Sequence, residues 1–204
     1  MPSFPASAAN LGPIRQTGRD ARASDDAALL SRIASGDKAA MQALFSNHHV
    51  PVYRFILRRL RNKALAEEVT GAVFLDVWRH AARFEGRSLV STWILAIARQ
   101  KTFAARPRFR QSQFDGGAAE SRHAVADGPD AILPMRNRNN LLRNCLAKLS
   151  AEHRELIDLV YCQKQSIDAV ATILGISRDT ARTRLFDARR QLFNAMKKSA
   201  GNAP

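Results

Sequence analysis

Apolar residues recur three and four positions apart along most of the chain, and the alternation expected of strands is nearly absent. Ser24 before Asp25 and Asp26 reads as a helix start, because acids there face the positive pole of the backbone dipole. Leu29, Leu30 and Ile33 form the stripe of that helix before Gly36 stops it, and Asp37 can cap a second helix through Met41, Leu44 and Phe45. Pro51 then restarts the chain, and Tyr53, Ile56, Leu57 and Leu60 make a further helical stripe. Over 64–82, Val69, Val73 and Val77 share one side while Phe74, Leu75 and Trp78 point elsewhere. The second half of that helix is apolar nearly all round and belongs at the centre of a core. A helix over 92–101 carries Trp93, Ile94 and Ile97 and ends in basic residues through Arg106, Arg108 and Arg110.

The C-terminal third repeats the helical pattern. Leu141, Leu142, Cys145, Leu146 and Leu149 make an amphipathic helix over 137–149, and Ser150 can cap the next one, with Leu156, Ile157, Val160 and Tyr161. A short helix over 166–174, the turn Gly175-Ile176-Ser177 and a longer helix from Arg178 follow the helix-turn-helix order. On that longer helix Ala181, Leu185, Ala188 and Leu192 cluster on one side, while Asp179, Thr183, Phe186 and Arg190 project away from it.

Between the two blocks, 111–134 holds Gly116-Gly117, Gly128-Pro129 and Pro134 and has little periodicity. A structureless loop of that length inside one compact domain is unusual, so a domain boundary is the better account. The expected architecture is all-α, with two small helical domains joined by a flexible linker. The boundaries are a disordered tail over 1–23, a first domain over 24–110, a linker over 111–135, a second domain over 136–198 and a tail over 199–204. The N-terminal tail contains arginines and few acids, which weakly mimics a transit peptide.

Charge changes the picture from helical protein to polyanion binder. The 204 residues carry 32 Lys+Arg against 18 Asp+Glu, a net charge of +14. Residues 54–110 hold 13 basic and 4 acidic side chains, net +9, and residues 143–204 hold 11 and 6, net +5; the rest is near neutral. Two separated basic blocks suit two contacts with nucleic acid. The longest apolar run, Trp93 to Ala98, is far short of the roughly 20 residues of a membrane span, and no secretory apolar stretch opens the chain. Cys145 and Cys162 have no CxxC spacing and read as reduced core residues of a cytoplasmic protein, a disulfide being the alternative. His48-His49, His80, His123 and His153 lack ligand spacing with the cysteines, and no acid cluster suggests a metal site. The expectation is therefore a non-enzyme without cofactor, with His48-His49 on the surface at a helix end.

Several groups carry candidate chemistry, each with a plainer alternative. The cations Arg54, Arg58, Arg59, Arg61 and Lys63 read first as a solvated face. Glu67, Glu68, Thr70 and Gly71 form a polar face on a helix otherwise set among cations, either favourable dipole placement or a protein-binding surface. Phe84, Glu85, Gly86, Arg87 and Ser88 form a loop with an aromatic that could stack on bases, or Phe84 and Trp93 could be core. Arg178, Thr180, Arg182, Thr183 and Arg184 open the second helix of the helix-turn-helix with side chains suited to phosphates and base edges.

Taken together, these motifs resemble the extracytoplasmic-function sigma factors of bacterial RNA polymerase, over about 25–108 and 136–198. Ala66-Glu67-Glu68-Val69, Val73-Phe74-Leu75 and Val77-Trp78 look like the polymerase-binding helix of region 2. Phe84, Gly86 and Ser88, then Thr92-Trp93 and Ile97-Ala98-Arg99, look like the segment that recognises and melts the −10 element. Leu146, Leu149-Ser150 and Arg154, the Gly175-Ile176-Ser177 turn, and Thr180, Arg182, Arg184, Leu185 and Ala188-Arg189 resemble region 4, which reads the −35 element. The sequence departs from the family at Gly71, where Gln is usual, at Ala72, at Gln100, where Asn is usual, and at Ala169 and Asp187.

The resemblance implies a specificity subunit that binds core RNA polymerase and promoter DNA, with an anti-sigma factor as regulator. It assigns Phe84, Arg87, Ser88, Gln100, Lys101, Arg106, Arg178, Thr180, Arg182, Thr183 and Arg184 to DNA. It assigns Glu67, Glu68, Thr70, Gly71, Phe74 and Leu75 to polymerase. The alternative is a helix-turn-helix transcriptional regulator that acts without being a polymerase subunit; a DNA-processing enzyme with such a module is the remaining one.

Overall fold

The computed structural model describes residues 13–115 and 141–200, with side chains described over 23–106 and 141–198. Every regular element among the described residues is helical. The first module holds α1 (Pro13–Ala34), α2 (Lys38–Leu60), α3 (Lys63–His80) and α4 (Val90–Asp115). The second holds α5 (141–147), α6 (Ala151–Ile157) with a wider π turn over Asp158–Cys162, α7 (Ile167–Leu174) and α8 (Arg178–Ala200). The all-α, two-module expectation agrees with this architecture. Most of the expected linker, 116–135, lies outside the described residues.

The helix ends follow local chemistry. Asp37 Oδ1 accepts from the backbone N–H groups of Ala39 at 2.8 Å and Ala40 at 3.1 Å, as a cap should. Asn62 Oδ1 accepts from Leu65 N–H at 2.9 Å, and Ser150 and Ser166 cap α6 and α7 through His153 and Ala169. Arg154 donates to the carbonyl oxygens of Leu146, Ala147 and Leu149, occupying acceptors that the end of α5 leaves open.

Four expectations change. Pro51 does not restart the chain but lies inside α2, whose following residues Val52, Phe55 and Ile56 are buried. Their burial holds the helix together across the one backbone bond that proline removes. Consequently His48 is not at a helix end: it sits mid-helix, with Nε2 at 2.8 Å from Asp26 Oδ2 of α1. Ser24 is an interior residue of α1, which begins at Pro13, where a missing N–H costs nothing. Cys145 is buried as expected, but Cys162 is exposed at the end of the π turn.

In the first module the core is built on Leu44, Phe55, Ile56, Val73, Val77 and Ile94. In the second it is built on Leu156, Leu159, Val170, Ile173, Ala181 and Ala188. The cores are contiguous, because α4 packs against α7 and α6 faces α2 and α4.

Candidate nucleic-acid interface

The longer helix of the helix-turn-helix is positioned by its small-residue face. Ala181, Leu185 and Ala188 are buried, and Gly175 at φ 67° turns the chain from α7 into α8. A left-handed backbone at that site favours glycine. Ser177 Oγ accepts from Thr180 N–H at 3.1 Å and lies 2.8 Å from the Thr180 hydroxyl, so Thr180 is part of the cap. Arg182 and Thr183 stand exposed on the open face. Arg178 is drawn to Asp168 of α7 at 2.8 Å, and Arg184 to Glu152 of α6 at 3.0 Å. All five sequence-predicted residues thus lie on the first two turns of α8. Two of the arginines, Arg178 and Arg184, also tie that helix to its neighbours.

The loop and α4 form the second basic surface. Phe84 is half-buried, its ring centroid 5.3 Å from that of Trp93, so it packs at the rim of the core. Gly86 has φ 70°, Arg87 is paired with Glu85, and Ser88 is half-buried. One face of α4 exposes Gln100, Phe103 and Arg106. Lys101 lies beside it, held by Asp76 of α3 at 2.7 Å. Phe103, not among the candidates above, is 73% exposed; its spacing of three from Gln100 is the signal in the sequence.

The polar face of α3 is a separate surface. Glu67, Glu68, Gly71 and Leu75 are exposed together, whereas Thr70 and Phe74 are buried behind them. Thr70 donates its hydroxyl to Ala66 O at 2.6 Å. The Phe74 ring meets Phe45 edge-on at 4.8 Å, and His49 stacks between Phe45 and Tyr53 at 4.5 and 6.1 Å. This aromatic row at four-residue spacing on α2 extends the α3 surface. In the sequence Phe45 and Tyr53 read as stripe residues only.

The residues most clearly missed lie between the modules. Arg59, read as part of a solvated face, is only 11% exposed in its side chain and spans α2 to α6. Its Nη1 donates to Asp158 Oδ2 at 2.9 Å and its Nη2 to Glu155 Oε1 at 3.3 Å, with the guanidinium 3.5 Å over the Phe55 ring. Arg99 Nε donates to the same Glu155 oxygen at 3.1 Å. Arg58 Nη2 lies 2.7 Å from Asp158 Oδ1, a second cation on the same carboxylate. No local spacing signals such a cluster, because the paired residues are 56 to 100 residues apart.

Among the described residues no helix is long and apolar enough to cross a membrane, and no cluster of His, Cys, Asp or Glu could hold a metal.

Comparison with known proteins adds a second line of argument. Residues 44–111 match Sigma-70 region 2, and residues 139–192 match Sigma-70 region 4. The chain is 31% identical over 166 residues to the ECF RNA polymerase sigma factor SigL of Mycobacterium tuberculosis, covering 81% of this chain and 93% of that protein. It is 28% identical over 187 residues to SigK of the same species, covering 88% and 98%. Among solved structures, it is similar to CnrH in complex with the cytosolic domain of CnrY, with TM-score 0.63 and 21% identity over 85% of this chain and 98% of that one. It is also similar to the sigma factor RpoE in complex with the anti-sigma factor NepR from Bartonella quintana, with TM-score 0.61 and 22% identity over 76% and 96%. At those identities the two structures speak for the fold.

Proposed function

We propose how this chain works from what it is: it belongs to the ECF RNA polymerase sigma factors. As such it binds core RNA polymerase and directs promoter-specific initiation, and sigma factors are non-enzymatic initiation factors. The observation that carries this is a region 2 and a region 4 module following one another in one chain.

Within that function, Arg182 and Thr183 on the open face of α8 read the −35 duplex, while Arg178, Thr180 and Arg184 orient the helix and meet phosphates. Phe84, Arg87 and Ser88 with Gln100, Lys101 and Arg106 receive the −10 strand. Unstacking a base costs a few kcal/mol, so the pocket must be preformed and flanked by cations. The packing of Phe84 on Trp93 and the tie of Lys101 to Asp76 supply that preorganisation. Glu67, Glu68, Gly71 and Leu75 dock on core polymerase, with Thr70 and Phe74 shaping the surface from behind.

Two weak DNA contacts joined by a linker combine through effective concentration. The chain acts in the cytoplasm, needs no cofactor and catalyses nothing itself. Since CnrH and RpoE were solved with partners, the second of them an anti-sigma factor, an anti-sigma factor is a fitting regulator here too. Transcription in vitro with purified core polymerase tests the function. Initiation from specific promoters only when the chain is added is the expected result, and none with core present overturns it.

A further inference from the structure

Beyond its first turn α8 carries six cations and a single acid, Asp187. A carboxylate on a helix that approaches phosphates is repelled by them, so its presence calls for an offsetting contact. Asp179 has one, because an acid in the first turn faces the positive pole of the helix dipole. Asp187 stands in the third turn, beyond the reach of that field. Its Oδ1 lies 3.4 Å from Arg190 Nη2, whose side chain is 65% exposed, and a loose surface pair of this kind contributes little. Neither local effect accounts for the acid.

The position of Asp187 matches that of the groove-facing residues. At about 100° per residue it lies about 40° round the helix from Thr183 and about 60° from Arg190. It is about 100° or more from each of the buried residues Ala181, Leu185 and Ala188. Its side chain keeps 36% exposure, so the carboxylate reaches the open face. Along the axis it lies about 6 Å beyond Thr183, within about two base-pair steps of 3.4 Å.

The chemistry of the group then selects among bases. A carboxylate only accepts hydrogen bonds. In the major groove guanine presents two acceptors, N7 and O6, and thymine presents O4 beside a methyl group, so neither pairs with it. Adenine offers its N6 amino group but sets the N7 acceptor next to it. Cytosine offers the N4 amino donor with no acceptor beside it on its own edge. From these observations we infer that Asp187 is a specificity-determining residue, accepting a hydrogen bond from the N4 amino group of a cytosine in the −35 duplex, within about two base pairs of the pair that Thr183 meets. This rests on the reading of α8 as the −35 helix. Arg190 holds the carboxylate in the free chain and turns to a phosphate when the duplex arrives, which releases Asp187 to the base.

The test uses the full-length chain bound to purified core RNA polymerase, selecting from a library of random-sequence duplexes. Affinities are then measured for the best duplex and its point-substituted versions. Wild type should favour cytosine at one −35 position by about tenfold over guanine or thymine. Asp187→Ala should remove the preference at that position alone and raise affinity for unrelated duplexes, since one negative charge is lost. Asp187→Asn, which keeps the shape, should move the preference to adenine, whose N6 and N7 an amide pairs with together. Arg190→Ala should keep the cytosine preference and weaken all duplexes alike. A wild-type −35 pattern without a preferred cytosine, or a cytosine preference unchanged in Asp187→Ala, overturns the inference. So does its loss in Arg190→Ala, since Asp187 would then act through the arginine. In each of those cases the remaining −35 preferences leave α8 as the −35 helix. Absence of any −35 preference from wild type overturns that reading instead, and the inference with it.

Discussion

Arg59 Nη1 and Asp158 Oδ2 lie 2.9 Å apart although 99 residues separate them in the chain. Both side chains are largely withdrawn from water. Each needs the other, because an uncompensated charge at such a site is strongly unfavourable. Removing one partner is therefore more disruptive than replacing the pair: Arg59→Met alone should lower the melting temperature more than Arg59→Met combined with Asp158→Leu. Thermal denaturation of the two variants side by side checks this, and equal losses would refute it.

Gly71 lies exposed inside α3, and a Cβ built there meets nothing within 4 Å. Gly71→Ala should stabilise the first module by about 0.5–1 kcal/mol, the helix-propensity difference between the two residues. Chemical denaturation measures it. Gly71→Gln restores the side chain usual in the family and should tighten core polymerase binding, read by competition with another sigma factor.

On α8, Arg182→Ala should weaken −35 binding and relax discrimination by about 1–3 kcal/mol if the guanidinium reads a base edge. A phosphate contact would instead weaken all sequences alike and lower the salt slope by about 1. Binding of a −35 duplex and of point-substituted versions across a salt series separates the two outcomes.

Phe103 is exposed one turn beyond Gln100 on the same face of α4. Phe103→Ala should leave the fold intact, since the ring is largely in water, yet weaken single-stranded −10 binding by about 1–3 kcal/mol if it stacks on a base. Anisotropy with a −10 oligonucleotide gives the answer, with Gln100→Ala beside it as the variant expected to alter base preference.

Asp37 has its carboxyl held below the usual aspartate value, first by the Ala40 backbone N–H and then by the Arg32 guanidinium. A group whose native pKa is depressed adds stability above its unfolded value and loses it as pH falls through the native one. The α2 cap therefore contributes at neutral pH and fades only below about pH 4. Asp37→Ala should lower the melting temperature at pH 7 and make less difference in strong acid, where the wild-type cap is protonated too.

Periodicity, caps and charge blocks were enough to give the helices, the two modules and the helix-turn-helix, because those depend on residues within a few turns of one another. Asp37, Ser150, Ser166 and Gly175 act on neighbours two to five positions away, so their roles are visible in sequence. The exposed and buried sides of α3 were less legible. Thr70 and Phe74 share a short stretch with Glu67 and Leu75, and only packing against α2 decides which of them face water. Tertiary context also overrode a local signal at Pro51, where the burial of Val52, Phe55 and Ile56 carries the helix through and places His48 beside Asp26.

The net charge of +14 pointed to a polyanion, and its division into two basic blocks to two contacts. What sequence alone determined was thus the set of parts and their order. Only the tertiary structure decided that Arg58, Arg59 and Arg99 are held by carboxylates of the other module. Ion pairing depends on distance in space and on exclusion of water, and neither is written in the spacing of residues along the chain.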